Sequence, residues 1–162
     1  KQKTRKKTGN KWFETQDQIA YYQEFEKEKI VWASVGETFY TFVEKSIFLL
    51  DTNYFAVFKK KEINKYILAL LNSKTIIKWV NENDTAVGTI AYRHYKYNFE
   101  NIPIPPLTET EQQPFVALVE QILAKKEKGE DTTALEREID QLVYELYGLT
   151  EEEIAIIENS TK

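Results

Sequence analysis

The chain has 162 residues, 42% hydrophobic and 14% aromatic, and a net charge of −4. That is one domain, or a domain with a helical appendix, with enough apolar side chain for a sizeable core. It has no Cys and one His, His94, which excludes disulfides, thiol nucleophiles and a zinc site of the usual Cys/His type. No apolar run approaches the ~18–20 residues that a membrane span requires. The Lys-rich start lacks the apolar region of a signal peptide. With no Met anywhere, the sequence reads as a fragment of a longer chain or a processed product. The absence of Cys suits a cytoplasmic setting.

The net charge hides an uneven distribution. Residues 1–11 carry six basic groups and no acid, residues 12–99 carry eleven of each sign, and residues 100–162 carry five basic groups against fifteen acids. A nucleic-acid surface is therefore expected in the first hundred residues, with the acidic end turned away. Lys1, Lys3, Arg5, Lys6 and Lys7 form a polar arm with nothing to bury, either a solvated terminus or an arm that lies on phosphates.

Trp12 and Phe13 begin the part expected to be ordered. Gln16 to Glu28 is compatible with a helix. Lys29 to Ser34, Thr38 to Val43 and Tyr54 to Phe58 read as strands from their β-branched and aromatic content. The apolar run Ile47 to Leu50 predicts a segment buried on both sides, and Asp51-Thr52-Asn53 a turn. Lys59-Lys60-Lys61 stops the last of these strands. From Glu62 to Leu71 the period changes: Ile63, Tyr66, Ile67, Leu70 and Leu71 share one helical face. Ser73 is placed to cap a second helix through Val80, and Asn81 to Gly88 reads as a polar loop. Thr89 to Phe99 interleaves aromatics with Arg93, His94 and Lys96.

Asn101 to Leu107 holds three of the four prolines. Each fixes φ and lacks an N–H, so the stretch predicts an extended strap that no helix can cross. Thr108 and Glu111 have capping-box spacing, as do Thr150 and Glu153. Phe115 to Leu123 and Leu135 to Leu146 are helical stripes ending at Gly129 and Gly148. Their short link predicts an antiparallel pair. The expected architecture is α+β: a mixed, twisted sheet with packed helices, followed by an antiparallel helical segment. Its expected divisions are a flexible arm at 1–11, a recognition unit at 12–100, the strap at 101–107 and helices at 108–162.

Catalytic motifs are missing. The five glycines form no Gly-x-Gly cofactor loop and no P-loop. Most carboxylates fall on predicted helix surfaces, and Asp51 and Asp84 read as turn residues. Two features suit binding. Tyr92-Arg93-His94-Tyr95-Lys96-Tyr97 can meet phosphates, stack on bases or read guanine edges, although it also reads as an ordinary strand with a solvated face. Lys59, Lys60, Lys61, Lys65, Lys74 and Lys78 form either a solvated helix face or a phosphate-contacting rim.

In order, Lys29-Ile30-Val31-Trp32, Asp51-Thr52-Asn53-Tyr54-Phe55, Tyr66 to Lys74 (Tyr-Ile-Leu-Ala-Leu-Leu-Asn-Ser-Lys) and Asn101-Ile102-Pro103-Ile104-Pro105-Pro106 resemble the TaqI-like C-terminal specificity domain of type IIG restriction–modification enzymes. Ile139 to Ile154 is similar to the usual end of such chains, and type I specificity subunits share the plan. The resemblance covers about residues 12 to 158. It implies a non-catalytic target recognition domain in a bacterial enzyme that joins nuclease and adenine-N6 methyltransferase in one chain. Double-stranded DNA would be its partner, with no membrane involved. S-adenosylmethionine, Mg²⁺ and the flipped adenine would belong to the methyltransferase and nuclease domains. The residues expected at DNA are Arg93, His94 and Lys96 with Tyr92 or Tyr95, supported by Lys74 and Lys78 on phosphates, then Asn53, Thr41 and Lys45. A protein-interaction module and an RNA-binding domain remain as alternatives.

Overall fold

Nine residues, Ile63–Leu71, form helix α1, and the six from Tyr66 to Leu71 are buried without a break. A helix apolar all round must be enclosed on every side. In the computed structural model, which describes residue 11 and residues 22–44, 46–59 and 63–160, the enclosure comes from both halves of the chain. Residues 1–10 of the arm, Trp12, Phe13, Lys45 and Lys60 to Glu62 lie outside the described residues. So do residues 16–21 of the expected helix 16–28, whose described part opens with a 3₁₀ turn at Tyr22–Glu26.

Strand β1 (Lys29–Ala33) is central, with β3 (Thr41–Val43) and β4 (Asn53–Ala56) antiparallel on either side of it. The registers place Ile30 opposite Phe42 and Ala56, and Trp32 opposite Tyr54. A second three-stranded sheet has the order β2 (Val35–Gly36), β6 (Ala91–Arg93), β5 (Thr85–Val87). The α+β class holds. The described pairings are all antiparallel, so two small antiparallel sheets stand where one mixed sheet was expected. Ser34 joins them: its N–H donates to the Thr52 carbonyl at 2.8 Å, and its carbonyl accepts from the His94 N–H at 3.0 Å.

The run Ile47 to Leu50 departs from expectation. It forms no strand, and Phe48 and Leu50 are 71% and 76% exposed. The run connects β3 to β4, which occupy opposite edges of β1, so no β1 edge remains for it. The Phe48 ring packs against Phe25, with centroids 5.2 Å apart. The turn that follows is as expected, with the Asn53 N–H bonded to the Leu50 carbonyl.

Asn72-Ser73-Lys74 links α1 to helix α2 (Lys74–Asn83). Ser73 caps α2 by accepting from the Ile76 N–H. The Asn72 side-chain amide accepts from the Tyr40 N–H at 3.0 Å and donates to its carbonyl at 2.9 Å, substituting for a paired strand. The expected loop at 81–88 is instead the last turn of α2 followed by β5. Its polar residues form the solvated outer turn of an amphipathic helix, closed when the Asp84 N–H bonds to the Val80 carbonyl.

After the short helix α3 (Lys96–Glu100), the strap runs extended as the prolines require. Tyr66 Oη donates to the Pro105 carbonyl at 2.7 Å and Tyr147 Oη to the Pro103 carbonyl at 2.5 Å. Burial pushes the Tyr66 hydroxyl up to about 12, so it stays a donor at ordinary pH. Helix α4 (Glu109–Glu127) opens with the Thr108–Glu111 capping box. Helix α5 (Thr133–Tyr147) ends at Gly148, where φ is +64°, a conformation that glycine adopts without a Cβ penalty. Helix α6 (Glu151–Ser160) starts at the second box, with the Glu153 N–H bonded to Thr150 Oγ1.

One apolar cluster runs from Ile30 and Trp32 through α1 to Phe115, Val119, Ile139 and Val143. Leu70→Ala, at a fully buried position, should cost about 2–5 kcal/mol. Fluorescence of Trp32 on β1, read in a chain with Trp12 and Trp79 replaced by Phe, and helical circular dichroism should show the same denaturant midpoint, because both sides share that cluster. Separated midpoints would contradict a shared core.

Candidate nucleic-acid interface

The hairpin β5–β6 projects from this core. Thr85, Ala86 and Val87 are exposed, and Gly88 makes the turn at φ +73°. Register places Arg93 opposite Thr85 and Val35, and Tyr92 opposite Ala86 and Gly36. Arg93 is exposed and Tyr92 half-buried. Beyond the strand, Tyr95 stacks on Tyr97 with ring centroids 5.4 Å apart, and Tyr97 is 60% exposed. Lys96 is largely exposed, with Glu100 at 3.4 Å. Arg93, Lys96 and the two tyrosines therefore come together on one projecting feature made of strand, turn and short helix.

His94 takes a different place. It is buried, and its Nδ1–H donates to Asp84 Oδ2 at 2.7 Å. The Asn98 side-chain amide donates to Asp84 Oδ1 at 2.6 Å and to the Asn83 carbonyl at 2.8 Å. The expected approach of His94 to DNA is corrected by its burial: it sits beneath Arg93 and offers nothing to a surface ligand. Asp84 was expected only as a turn residue, and Asn98 was not singled out. Asp84 meets His94 across ten positions and Asn98 meets Asp84 across fourteen, and no local pattern announces either link.

The two lysines of α2 both have carboxylate partners. Lys74 Nζ pairs with Glu158 of α6 and lies 3.9 Å from Asp140 of α5, while the Lys74 N–H donates to Asp140 Oδ1 at 2.9 Å. Tyr144 Oη donates to the other Glu158 oxygen at 2.7 Å. Lys74 thus ties the acidic helices to the start of α2. Lys78 pairs with Glu82 one turn along, at 2.6 Å. Arg93 alone among these cations has no salt-bridge partner among the described residues. Thr41 is exposed on β3, Asn53 is half-buried at the start of β4, and neither adjoins the hairpin by pairing. Among the described residues no cluster of His, Cys, Asp and Glu is arranged to hold a metal ion, and no helix is long and apolar enough to cross a membrane.

The cluster around Lys74 has a pH signature. The bonds from Lys74 and Tyr144 hold the Glu158 carboxyl below its ordinary value. Burial, reinforced by Glu158 and outweighing the bonds from Lys74, holds the Asp140 carboxyl above its own. The folded chain therefore favours protonated Asp140. That contribution is complete below the unfolded value and is lost as pH rises through the raised folded value. Asp140→Asn fixes the neutral form and keeps an acceptor for the Lys74 N–H. Its stability relative to the parent chain should rise in urea melts as the pH is raised above the ordinary carboxylate value of about 4. A flat or falling difference would contradict this assignment.

The chain matches the family model described as the TaqI-like C-terminal specificity domain over residues 1–104, more than half its length and ending inside the strap. No curated protein matches it. Domains of this kind serve DNA sequence recognition in restriction–modification enzymes. With the α+β core, the projecting cationic hairpin and that match, the chain belongs to the family of TaqI-like C-terminal specificity domains.

Proposed function

We propose that the chain recognises a specific sequence in double-stranded DNA through the hairpin Thr85–Arg93 and helix α3, as the non-catalytic target recognition domain of a type IIG restriction endonuclease and adenine-N6 methyltransferase. The observation that carries this reading is Arg93, an exposed guanidinium without an ion-pair partner among the described residues, on a hairpin that lies within the span matching the family model. A guanidinium is planar and presents paired donors that match O6 and N7 of guanine in the major groove. Tyr92, Tyr95 and Tyr97 offer apolar faces beside it. Lys96, with Lys78 farther along α2, supplies positive charge for the phosphate backbone, where contacts set orientation rather than sequence.

In this reading the recognition unit comprises residues 12–100, the strap ends it, and residues 108–162 set its placement beside the catalytic domains. S-adenosylmethionine and Mg²⁺ belong to those domains. The setting is the bacterial cytoplasm.

Selection from randomised duplexes at low salt, followed by anisotropy on the selected site, tests the proposal. Arg93→Ala should cost about 1–3 kcal/mol on the selected site and much less on random duplex. Lys96→Ala should weaken all duplexes alike and lower the salt slope by about one. Unchanged discrimination in Arg93→Ala would remove that residue from base contact. Preference for single-stranded RNA over duplex DNA would favour an RNA-binding domain instead.

A further inference from the structure

The hairpin carries no core residue. β5 is exposed along its length and β6 is at most half-buried, so burial of its own side chains does not fix its direction. What fixes it lies at its base. Asp84 immediately precedes β5 and His94 immediately follows β6. Thr85 and Arg93 are register partners, so Asp84 and His94 form the next pair across the ladder. Their side chains are almost completely buried and meet at 2.7 Å. Each end is tied elsewhere: the Asp84 N–H to Val80 of α2, and the His94 N–H to Ser34 at the joint of the two sheets. Asn98 of α3 takes the second Asp84 oxygen. The His94 ring has no other anchor, since Nε2 is buried without a partner among the described residues.

We propose that Asp84, His94 and Asn98 are positioning residues for recognition: they never touch DNA, and their clasp sets the angle at which the hairpin and α3 present Arg93 and Lys96. The inference rests on the DNA reading of the same hairpin, but its geometric part stands apart from that reading. The two-residue strand β2 pairs only with the base of β6, at Tyr92 and Arg93, so cutting the clasp beside it frees the outer hairpin to tilt, and a guanidinium next to that pivot loses its aim before the core loses stability. Cutting the clasp removes no phosphate contact, so the salt dependence of binding stays as it was.

The test uses the whole chain and two substitutions. His94→Leu fills the space but cannot donate, and His94→Asn keeps an amide donor close to the position of Nδ1. In His94→Leu, amide hydrogen exchange at residues 85–93 should quicken about tenfold while exchange in α1 and α4 stays unchanged. Affinity for the selected duplex should fall about tenfold with the salt slope unaltered. His94→Asn should restore most of both. Hairpin exchange as in the parent chain, or exchange that quickens equally in the core, would overturn the clasp. Local loosening with undiminished duplex binding would overturn the positioning role. If the parent chain itself binds no duplex, the DNA reading fails together with the positioning role, while the exchange arm still decides whether the clasp holds the hairpin.

Discussion

Helix α1 is enclosed by the sheet on one side and by the post-strap helices on the other, and the rest of the molecule depends on that enclosure. Six consecutive buried residues from Tyr66 to Leu71 cannot be satisfied by either half of the chain alone. They draw β1, α4 and α5 into one core. The same helix anchors the strap through the Tyr66 hydroxyl, and its end passes through Asn72 and Ser73 into α2. Helix α2 then delivers Asp84 to the base of the hairpin. The position of the proposed DNA-reading feature is thus inherited, step by step, from a helix whose last six residues are buried.

Charge follows the same logic. The acidic residues beyond residue 100 are not merely turned outward. Glu158 and Asp140 engage Lys74, and Glu120 lies 2.7 Å from Lys65. Lys65 and Lys74, which looked available for phosphate, are therefore used to dock the helical segment, and Arg93 is left without an ion-pair partner among the described residues. The motif that carries the family resemblance, Leu-Asn-Ser-Lys, turns out to be scaffold. Asn72 braces Tyr40, Ser73 caps α2 and Lys74 holds α5 and α6.

Local chemistry was legible in the sequence. The Ser73 cap, the capping boxes at Thr108 and Thr150, the Gly148 terminus and the proline strap each depend on neighbours within about one helical turn. Tertiary choices were not. Ile47 to Leu50 has the composition of a buried strand, but the edges of β1 were already taken. Asn81 to Gly88 is polar because it is the outer turn of a helix and the exposed strand of a hairpin, not because it is a loop. The partners of Lys74 and His94 are set by packing and hairpin register. A lysine whose carboxylate lies 84 positions away leaves no trace in its own surroundings.

The central claim is that one projecting hairpin, aimed from a shared core, meets duplex DNA while the acidic helices face away. Titrating the isotope-labelled chain with its selected duplex and following backbone amide shifts tests this most directly. The account predicts that the largest shifts fall between Thr85 and Tyr97 and that the outer faces of α4, α5 and α6 stay unmoved. Shifts concentrated on those acidic helices, with the hairpin unperturbed, would contradict it.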